Sequence, residues 1–297
     1  MAEIWTIERI LKWTESFFAQ KGIESPRLDA EVLLAHLLQK ERIYLYVHFD
    51  EPLEKQELAA FHDMVRRRAA HVPVAYITGE KEFMGLTFKV TPATLVPRPD
   101  TEILVQAAID ALRGMPAAAD GAGPSFADIG TGSGAICLSI LHTLPMCTAC
   151  TVDISDEARR VAEQNADALG VRDRVAFFTG DLLAPLAERT FDAIVSNPPY
   201  IPTGDLAGLQ AEVRLCEPRA ALDGGGDGLA FYRRLVQDAP AYLRAGGFLA
   251  MEAGIHEAGS IAALIRENPA YAEDRTEIKK DYAGMDRVVL AWRNEEA

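Results

Sequence analysis

The spacing of apolar residues changes period along this chain. From Ile4 to about His71 they fall at helical intervals: Ile4, Ile7, Ile10, Leu11 and Trp13, then Ala30 to Leu38, then Leu58 to Arg68. Ser25-Pro26 reads as an N-cap followed by a proline at the first helical position. Glycine is nearly absent and no strand pattern is evident, so a small helical bundle is expected over residues 1–73. In the next stretch Gly79 and Gly85 punctuate short extended runs such as Leu86-Thr87-Phe88-Lys89-Val90, which predicts a hairpin linker over residues 74–96. An apolar-periodic helix from Thr101 to Leu112 opens a third region, residues 97–297, and the Ala/Gly/Pro-rich segment from Gly114 to Pro124 reads as a loose surface loop.

From Ser125 onward strand and helix patterns alternate. Strands are predicted at Ser125–Ile129, Ala149–Ile154, Arg174–Thr179, Phe191–Ser196, Gly247–Glu252, Arg275–Asp281 and Arg287–Trp292, with helices at Gly134–Leu144, Asp156–Leu169 and Leu229–Leu243. That alternation predicts an α/β fold with a doubly wound, mainly parallel sheet. The last two strands are joined only by Tyr282 to Asp286, a hairpin-length link, so one strand should run antiparallel.

Composition narrows the function classes. A chain of 297 residues has room for two domains, and 49% hydrophobic with 25% charged residues is an ordinary globule. A net charge of −14 argues against a broad grip on nucleic-acid phosphates, which needs Lys and Arg to displace counterions. No apolar run approaches the roughly 20 residues of a membrane span. Glu3, Glu8, Arg9, Lys12 and Glu15 interrupt any leader-like apolar core, so a cytoplasmic protein is expected. Cys147 and Cys150 form a CxxC, but it runs into a predicted strand and no second CxxC or paired histidine follows. These cysteines, with Cys137 and Cys216, read as small core residues, and no metal is expected.

Two motifs carry chemistry. Phe126 to Ile136 is a strand, a glycine turn and a helix start, where Gly130, Thr131, Gly132, Ser133 and Gly134 let a ligand lie against bare backbone. Read as Gly130-x-Gly132-x-x-Ala135, it fits a dinucleotide loop with Asp153 as the ribose acid. Read as Asp128-x-Gly130-x-Gly132-x-Gly134, it resembles the first motif of S-adenosylmethionine-dependent methyltransferases. Asp128 suits a cationic ligand and would repel a pyrophosphate, which favours the methyl donor. Asp153 is placed to accept from both ribose hydroxyls, Asp181 from the adenine amine, and Leu182 to cover an adenine face. Each acid could instead be a helix cap or a turn residue. The second motif is Asn197-Pro198-Pro199-Tyr200 after an apolar strand. Two prolines cannot continue a ladder, so the chain leaves the sheet stiffly at the edge where open α/β sheets bind ligands. The Asn197 side-chain carbonyl and the Pro198 backbone carbonyl make a clamp for a planar conjugated –NH2, with Tyr200 packing on its face. The amine of adenine and the amide of glutamine fit that clamp equally.

From Val74 to Trp292 the chain resembles the HemK/PrmC-type methyltransferases, which modify the glutamine of the Gly-Gly-Gln motif in peptide chain release factors. The resemblance rests on Tyr76 to Phe83, Val96-Pro97-Arg98-Pro99-Asp100-Thr101-Glu102, Asp128 to Gly134, Asn197 to Tyr200, Glu217 to Asp223, and Gly226 to Leu229. It implies a seven-stranded class I methyltransferase sheet of Rossmann-like type, with a terminal antiparallel strand, preceded by a helical domain suited to substrate recognition. It further implies S-adenosylmethionine as donor, S-adenosylhomocysteine as product, and release factors as partners. Gly130 to Gly134, Asp153, Leu182 and Asn197 would then bind the donor, and Asn197 to Tyr200 the glutamine. The residue after Asp181 is often aromatic in the family, and Leu182 departs from that. Arg98 and Glu217 are either an active-site ion pair or a loop support. The competing readings are an adenine-N6 methyltransferase on DNA or RNA, an inactive binding-only relative, and a nicotinamide oxidoreductase. A monomer is the default expectation.

Overall fold

The computed structural model describes residues 4–115, 121 and 123–295. The chain divides into two compact units, one comprising Met1–Glu80 with Gln210–Cys216, the other Lys81–Leu209 with Glu217–Ala297. The segment read as a loop between Gly114 and Pro124 lies largely outside the described residues.

The first unit is helical: α1 (Ile7–Gln20), α2 (Pro26–Leu38), α3 (Arg42–Val47), α4 (Lys55–Ala69) and α5 (Val74–Thr78). Ile7, Phe18, Leu33, Leu34 and Phe61 form its core, which is the apolar stripe of three amphipathic helices turned inward. Pro26 is at the first position of α2. The stretch from Val74, expected to be extended, starts as helix α5. Ala75, Tyr76 and Ile77 are all buried there, and Gly79 ends the helix in a left-handed conformation (φ 80°). Packing has overridden β-branched propensity at this point. The short helix Ala211–Cys216 also belongs to this unit. Buried Arg68 holds it, bonding Asp29 at 2.7 Å and Glu212 at 2.6 Å.

The second unit opens with a hairpin, β1 (Glu80–Phe83) and β2 (Leu86–Lys89), then α6 (Thr101–Arg113). Strands and helices then alternate: β3 (Ser125–Ile129), α7 (Ala135–Thr143), β4 (Thr148–Asp153), α8 (Asp156–Ala168), β5 (Val175–Thr179) and β6 (Phe191–Ser196). In chain order the short helix Ala211–Cys216 is α9, and after it come α10 (Ala230–Asp238), β7 (Leu243–Glu252), α11 (Ala258–Glu267), β8 (Tyr271–Lys280) and β9 (Asp286–Arg293). The seven long strands form one sheet in the order β5-β4-β3-β6-β7-β9-β8. β9 runs antiparallel to both its neighbours, while β3 to β7 are parallel.

Helices cover both faces. Phe126, Ala193 and Ala250 pack on one side with Leu104 of α6 and Leu138 of α7. Ala127, Ile194 and Leu249 pack on the other with Leu235 of α10 and Ile261 of α11. Strands buried on both faces explain the continuous apolar runs in the sequence. The exposed edge strand β8 carries Glu273, Asp274, Arg275, Glu277, Lys279 and Lys280, a charge pattern that discourages strand addition. Several boundaries differ from expectation, β8 starting at Tyr271 and not Arg275 among them. The helix predicted to reach Leu243 stops at Asp238, two residues before Pro240. β7 begins at Leu243 rather than Gly247, because Gly246 (φ 73°) and Gly247 sit at a bulge where a side chain on Gly247 would meet the Asp192 carbonyl at 2.9 Å.

The hairpin is tied to the sheet layer by one side chain. Asn165 of α8, buried, accepts from Lys89 N at 2.8 Å and donates to Lys89 O at 3.0 Å and Ser133 O at 2.8 Å. Replacing it strands three backbone groups at once. Asn165→Ala is expected to lower the unfolding free energy by about 2–4 kcal/mol, read from the urea midpoint at unchanged slope.

Candidate active site

In the parallel pairing of β3 with β6, Ile129 stands opposite Ser196, and the Ser196 hydroxyl donates to the Ile129 carbonyl at 2.7 Å. Both strands therefore end at the same level, and the glycine turn and the two prolines leave the sheet side by side. Gly130, Gly132 and Gly134 all have positive φ (79°, 56° and 85°). At Gly134 a side chain would also strike Leu138, at 2.7 Å, so only glycine starts α7 here. Thr131 is pinned through Thr151 and the Val152 carbonyl. Asp153, at the end of β4, accepts from the backbone N–H groups of Gly132 at 2.8 Å and Ser155 at 2.9 Å. Burial raises its carboxyl above the usual range, and those amides oppose the rise. Each oxygen keeps a lone pair for a ligand hydroxyl.

A cavity of about 540 Å³ opens above these turns, lined among others by Gly130, Gly132, Asp153, Leu182, Asn197 and Phe231. Thr131, Ser133, Asp181, Pro198, Pro199 and Arg98 also border it. Asn197 donates through Nδ2 to the Thr101 hydroxyl at 3.2 Å. β6 ends at Ser196, and among the described residues no hydrogen bond reaches the Pro198 carbonyl. A carbonyl left free beside a side-chain amide is an acceptor pair.

Tyr200 is seated by glycines. A Cβ at Gly224 would lie 2.7 Å from its Cα, one at Gly228 2.4 Å from its carbonyl oxygen, and one at Gly254 3.1 Å from its ring. Burial, with Glu252 nearby, pushes the phenol up to about 12. The phenol is thus neutral near pH 7. The Pro97-Arg98-Pro99 block also becomes intelligible. Arg98 pairs with the buried carboxylate of Glu217, Asp100 meets Arg287 at 3.2 Å, Thr101 takes the Asn197 amide, and Glu102 accepts from Met84 N at 2.8 Å. One short motif fastens the Asn197 side chain, a neighbouring loop and the hairpin together.

Four of the residues expected at the site do not border the cavity: Asp128, Gly134, Tyr200 and Glu217. Asp128 lies beneath the glycine turn, fully buried, with no well-formed hydrogen bond to either carboxyl oxygen among the described residues, and burial pushes it up to about 7 against the opposing Cys137 amide. Asp181 borders the cavity as an exposed ion pair, with both oxygens on Arg234 at 2.6 and 3.1 Å. Leu182 has a left-handed backbone (φ 48°). Sequence reasoning missed Phe231 and Arg234, which reach the cavity from α10, and Thr101 and Glu252 behind Asn197. Phe231 gives no local signal, since it reads as one more apolar residue of an amphipathic helix. Thr101 and Glu252 come from the start of a helix and the end of a strand about 150 positions apart in sequence, and only the sheet order brings them together.

Comparisons with known proteins bear on this arrangement. Residues 9–79 match the family model described as PrmC N-terminal domain, and residues 112–230 that described as methyltransferase small domain. A release factor glutamine methyltransferase of Geobacter sulfurreducens is 47% identical over 97% of this chain and 96% of its own length. Proteins of the same name from Moorella thermoacetica and Vibrio cholerae are 46% identical (94% of this chain, 95% of theirs) and 42% identical (96% of each). Among solved structures, the hMettl16 catalytic domain, crystallised with an RNA hairpin, aligns at TM-score 0.56 and 16% identity, covering 94% of this chain and 91% of that one. That likeness is one of fold alone.

The buried Asp128 makes a stability prediction. Its carboxyl holds a proton up to about 7 in the folded protein, against 3.8 as the ordinary value. The stability it contributes is full below about pH 4 and is lost as pH rises through about 7. Asp128→Asn should therefore remain more stable than the parent at pH 8, by about 2–4 kcal/mol, and lose that advantage at pH 4. Urea unfolding at both pH values measures this. Glu252 and Glu257, also pushed up to about 7, leave a residual slope in both proteins.

Proposed function

This chain belongs to the family of release factor glutamine methyltransferases, and from that premise we infer how its site works. It transfers a methyl group from S-adenosylmethionine to the side-chain amide nitrogen of glutamine in a peptide chain release factor, leaving S-adenosylhomocysteine. The observation that carries the assignment of roles is the Asn197 amide, bonded inward to Thr101 beside the unclaimed Pro198 carbonyl, at the lip of a glycine-lined cavity.

The residues present fit the donor. Bare backbone from Gly130 to Gly134 accepts close approach, and the spare lone pairs of Asp153 suit two vicinal hydroxyls. Leu182 and Phe231 offer apolar faces for a planar base, with Phe231 supplying the aromatic surface that Leu182 lacks. The bound donor supplies an electrophilic methyl on a sulfonium, whose C–S electron pair stays on sulfur as the new C–N bond forms.

The chain's own part is to hold and polarise the acceptor. An amide nitrogen is a weak nucleophile because its lone pair is delocalised. Asn197 Oδ1 and the Pro198 carbonyl accept its two N–H bonds, which enriches the nitrogen as it pyramidalises and disperses the charge that develops. Tyr200, seated on Gly224, Gly228 and Gly254 outside the cavity, fixes the far end of the clamp. Held on the S–CH3 axis, the reaction gains several kcal/mol, up to about 7–11 in favourable cases, from alignment alone. One N–H proton passes to solvent when –CONH2 becomes –CONHCH3, carrying away the positive charge that the sulfonium loses. Arg98 and Glu217 stiffen the loop beyond the clamp. The helical region over residues 1–73 recognises the body of the release factor, the stretch 74–96 links it to the methyltransferase region 97–297, and the enzyme acts as a cytoplasmic monomer with no need of nucleic acid.

Incubation with labelled S-adenosylmethionine and purified release factor, followed by peptide mapping, tests this reading. Label on the Gly-Gly-Gln glutamine is expected, and label on DNA or RNA adenine instead would overturn it. Asn197→Ala should slow transfer by about 10²–10³-fold with donor affinity largely kept. Phe231→Ala should have the opposite profile, weakening donor binding by about 3–10-fold with little effect on the saturated rate.

A further inference from the structure

A glutamine presented to the cavity belongs to a folded protein, and the chain on either side of it must cross the cavity's rim. The sheet order says where. β5, β4 and β3 end in turns whose Asp181, Asp153 and Gly130 line the cavity, so in the reading above the donor takes that half of the edge. β7, β9 and β8 lie on the other side of β6. β7 is parallel to β6, and β8 is antiparallel to the antiparallel β9. Both β7 and β8 therefore end at the edge where Asn197 leaves the sheet. Among the described residues none beyond Arg234 borders the cavity, so these last strand ends are left to the acceptor.

The link from β8 to β9 is held firmly from within. The Asp281 carboxylate accepts from Ala283 N and Met285 N, both at 2.9 Å, and Asp281 N donates to the Met285 carbonyl at 2.8 Å. Arg287, buried, bonds Asp281 at 3.0 Å and reaches Asp100 at 3.2 Å, next to the Thr101 that takes the Asn197 amide. Its carbonyl also accepts from Ala253 N at 2.8 Å, which joins this link to the segment after β7. The outward side chains are nevertheless bare. Tyr282 is 99% exposed, with no hydrogen bond or ring contact among the described residues, and Met285 is 38% exposed. Ile255 is 54% exposed and follows Gly254, where a side chain would meet the Tyr200 ring at 3.1 Å. Large apolar groups on a rigid support, open to water beside a reaction site, mark a surface that a partner covers.

We propose that Ile255, Tyr282 and Met285 form a ledge on which the release factor lays the backbone flanking its target glutamine. A glycine-rich segment offers few side chains to grip, so its recognition falls to peptide planes and CH2 groups. An aromatic face packs on such planes, and a phenol hydroxyl can donate to a peptide carbonyl. Because the ledge is already ordered by Asp281 and Arg287, binding does not have to immobilise it. Its residues stand outside the cavity and touch neither the donor nor the reacting atoms. They therefore act on how tightly the acceptor is held, not on the transfer step itself.

This inference rests on the glutamine reading above, and its test separates the two. Tyr282→Ala should raise KM for purified release factor about tenfold, with kcat and donor affinity kept within about twofold. Tyr282→Phe should stay within about threefold of the parent, since the ring face survives. The ring lies in solvent, so the melting temperature of both variants should match the parent, which excludes damage to the fold. A photoreactive benzophenone side chain at position 282 should crosslink to release-factor peptides adjoining the glutamine. An unchanged KM in Tyr282→Ala, or crosslinks confined to a distant part of the release factor, would overturn the ledge. A parent that dimerises in sedimentation, with the dimer lost in Tyr282→Ala, would also overturn it and assign the face to a second copy of this chain. Direct binding of fluorescent release factor, measured without donor, decides the ledge independently of catalysis. If Tyr282→Ala weakens that binding while the parent labels no glutamine, the substrate reading alone falls.

Discussion

The hydrogen bond from the Ser196 hydroxyl to the Ile129 carbonyl marks the constraint on which the site depends. Two parallel strands in register must end together, and the turn after each strand is built to leave the sheet abruptly. Beyond Ile129 the glycines turn through conformations closed to other residues, and beyond Ser196 the prolines refuse the ladder. The glycine turn and the Asn197-Pro198-Pro199-Tyr200 turn thus emerge from adjacent strand ends, where the proposed donor surface and clamp would meet. In-line transfer requires that proximity, and strand register supplies it without any flexible part.

The clamp is rigid because its supports are backbone and buried charge. Gly224, Gly228 and Gly254 give Tyr200 a seat that any side chain would fill. Thr101 holds the Asn197 amide from behind, and Arg98 with Glu217 secures the chain beyond it. The stability cost of this design is visible in the acids. Among the described residues Asp128 and Glu252 are buried with unpartnered carboxyl oxygens, and burial pushes both up to about 7, a desolvation cost close to the cavity.

Much of this was legible from residue order. The alternation from Ser125, the turn glycines and the proline pair identified the sheet and the two turns that border the cavity, because strand burial and turn chemistry are local properties. The short link between the last strands indicated one antiparallel strand. Where reading failed, the cause was non-local. Val74–Thr78 is helical because neighbouring apolar surface buries it, and β7 starts early because a two-glycine bulge hides its first residues. Arg98 to Glu102 announced itself as a motif through resemblance, yet the side-chain partners of Arg98, Asp100 and Thr101 lie far along the chain at Glu217, Arg287 and Asn197.

By itself the sequence determined the fold class and the two turns at which the cavity opens, since each is encoded within a few consecutive residues whose backbone preferences leave little choice. Tertiary structure decided which acids face the ligand and which lie beneath it. It separated Asp153, on the cavity, from Asp128, under the turn, and it brought Phe231, Thr101 and Glu252 to the site. The reason is geometric. A strand or turn signal is carried by neighbours in sequence, whereas the orientation of one amide is set by groups that meet only when the sheet has assembled.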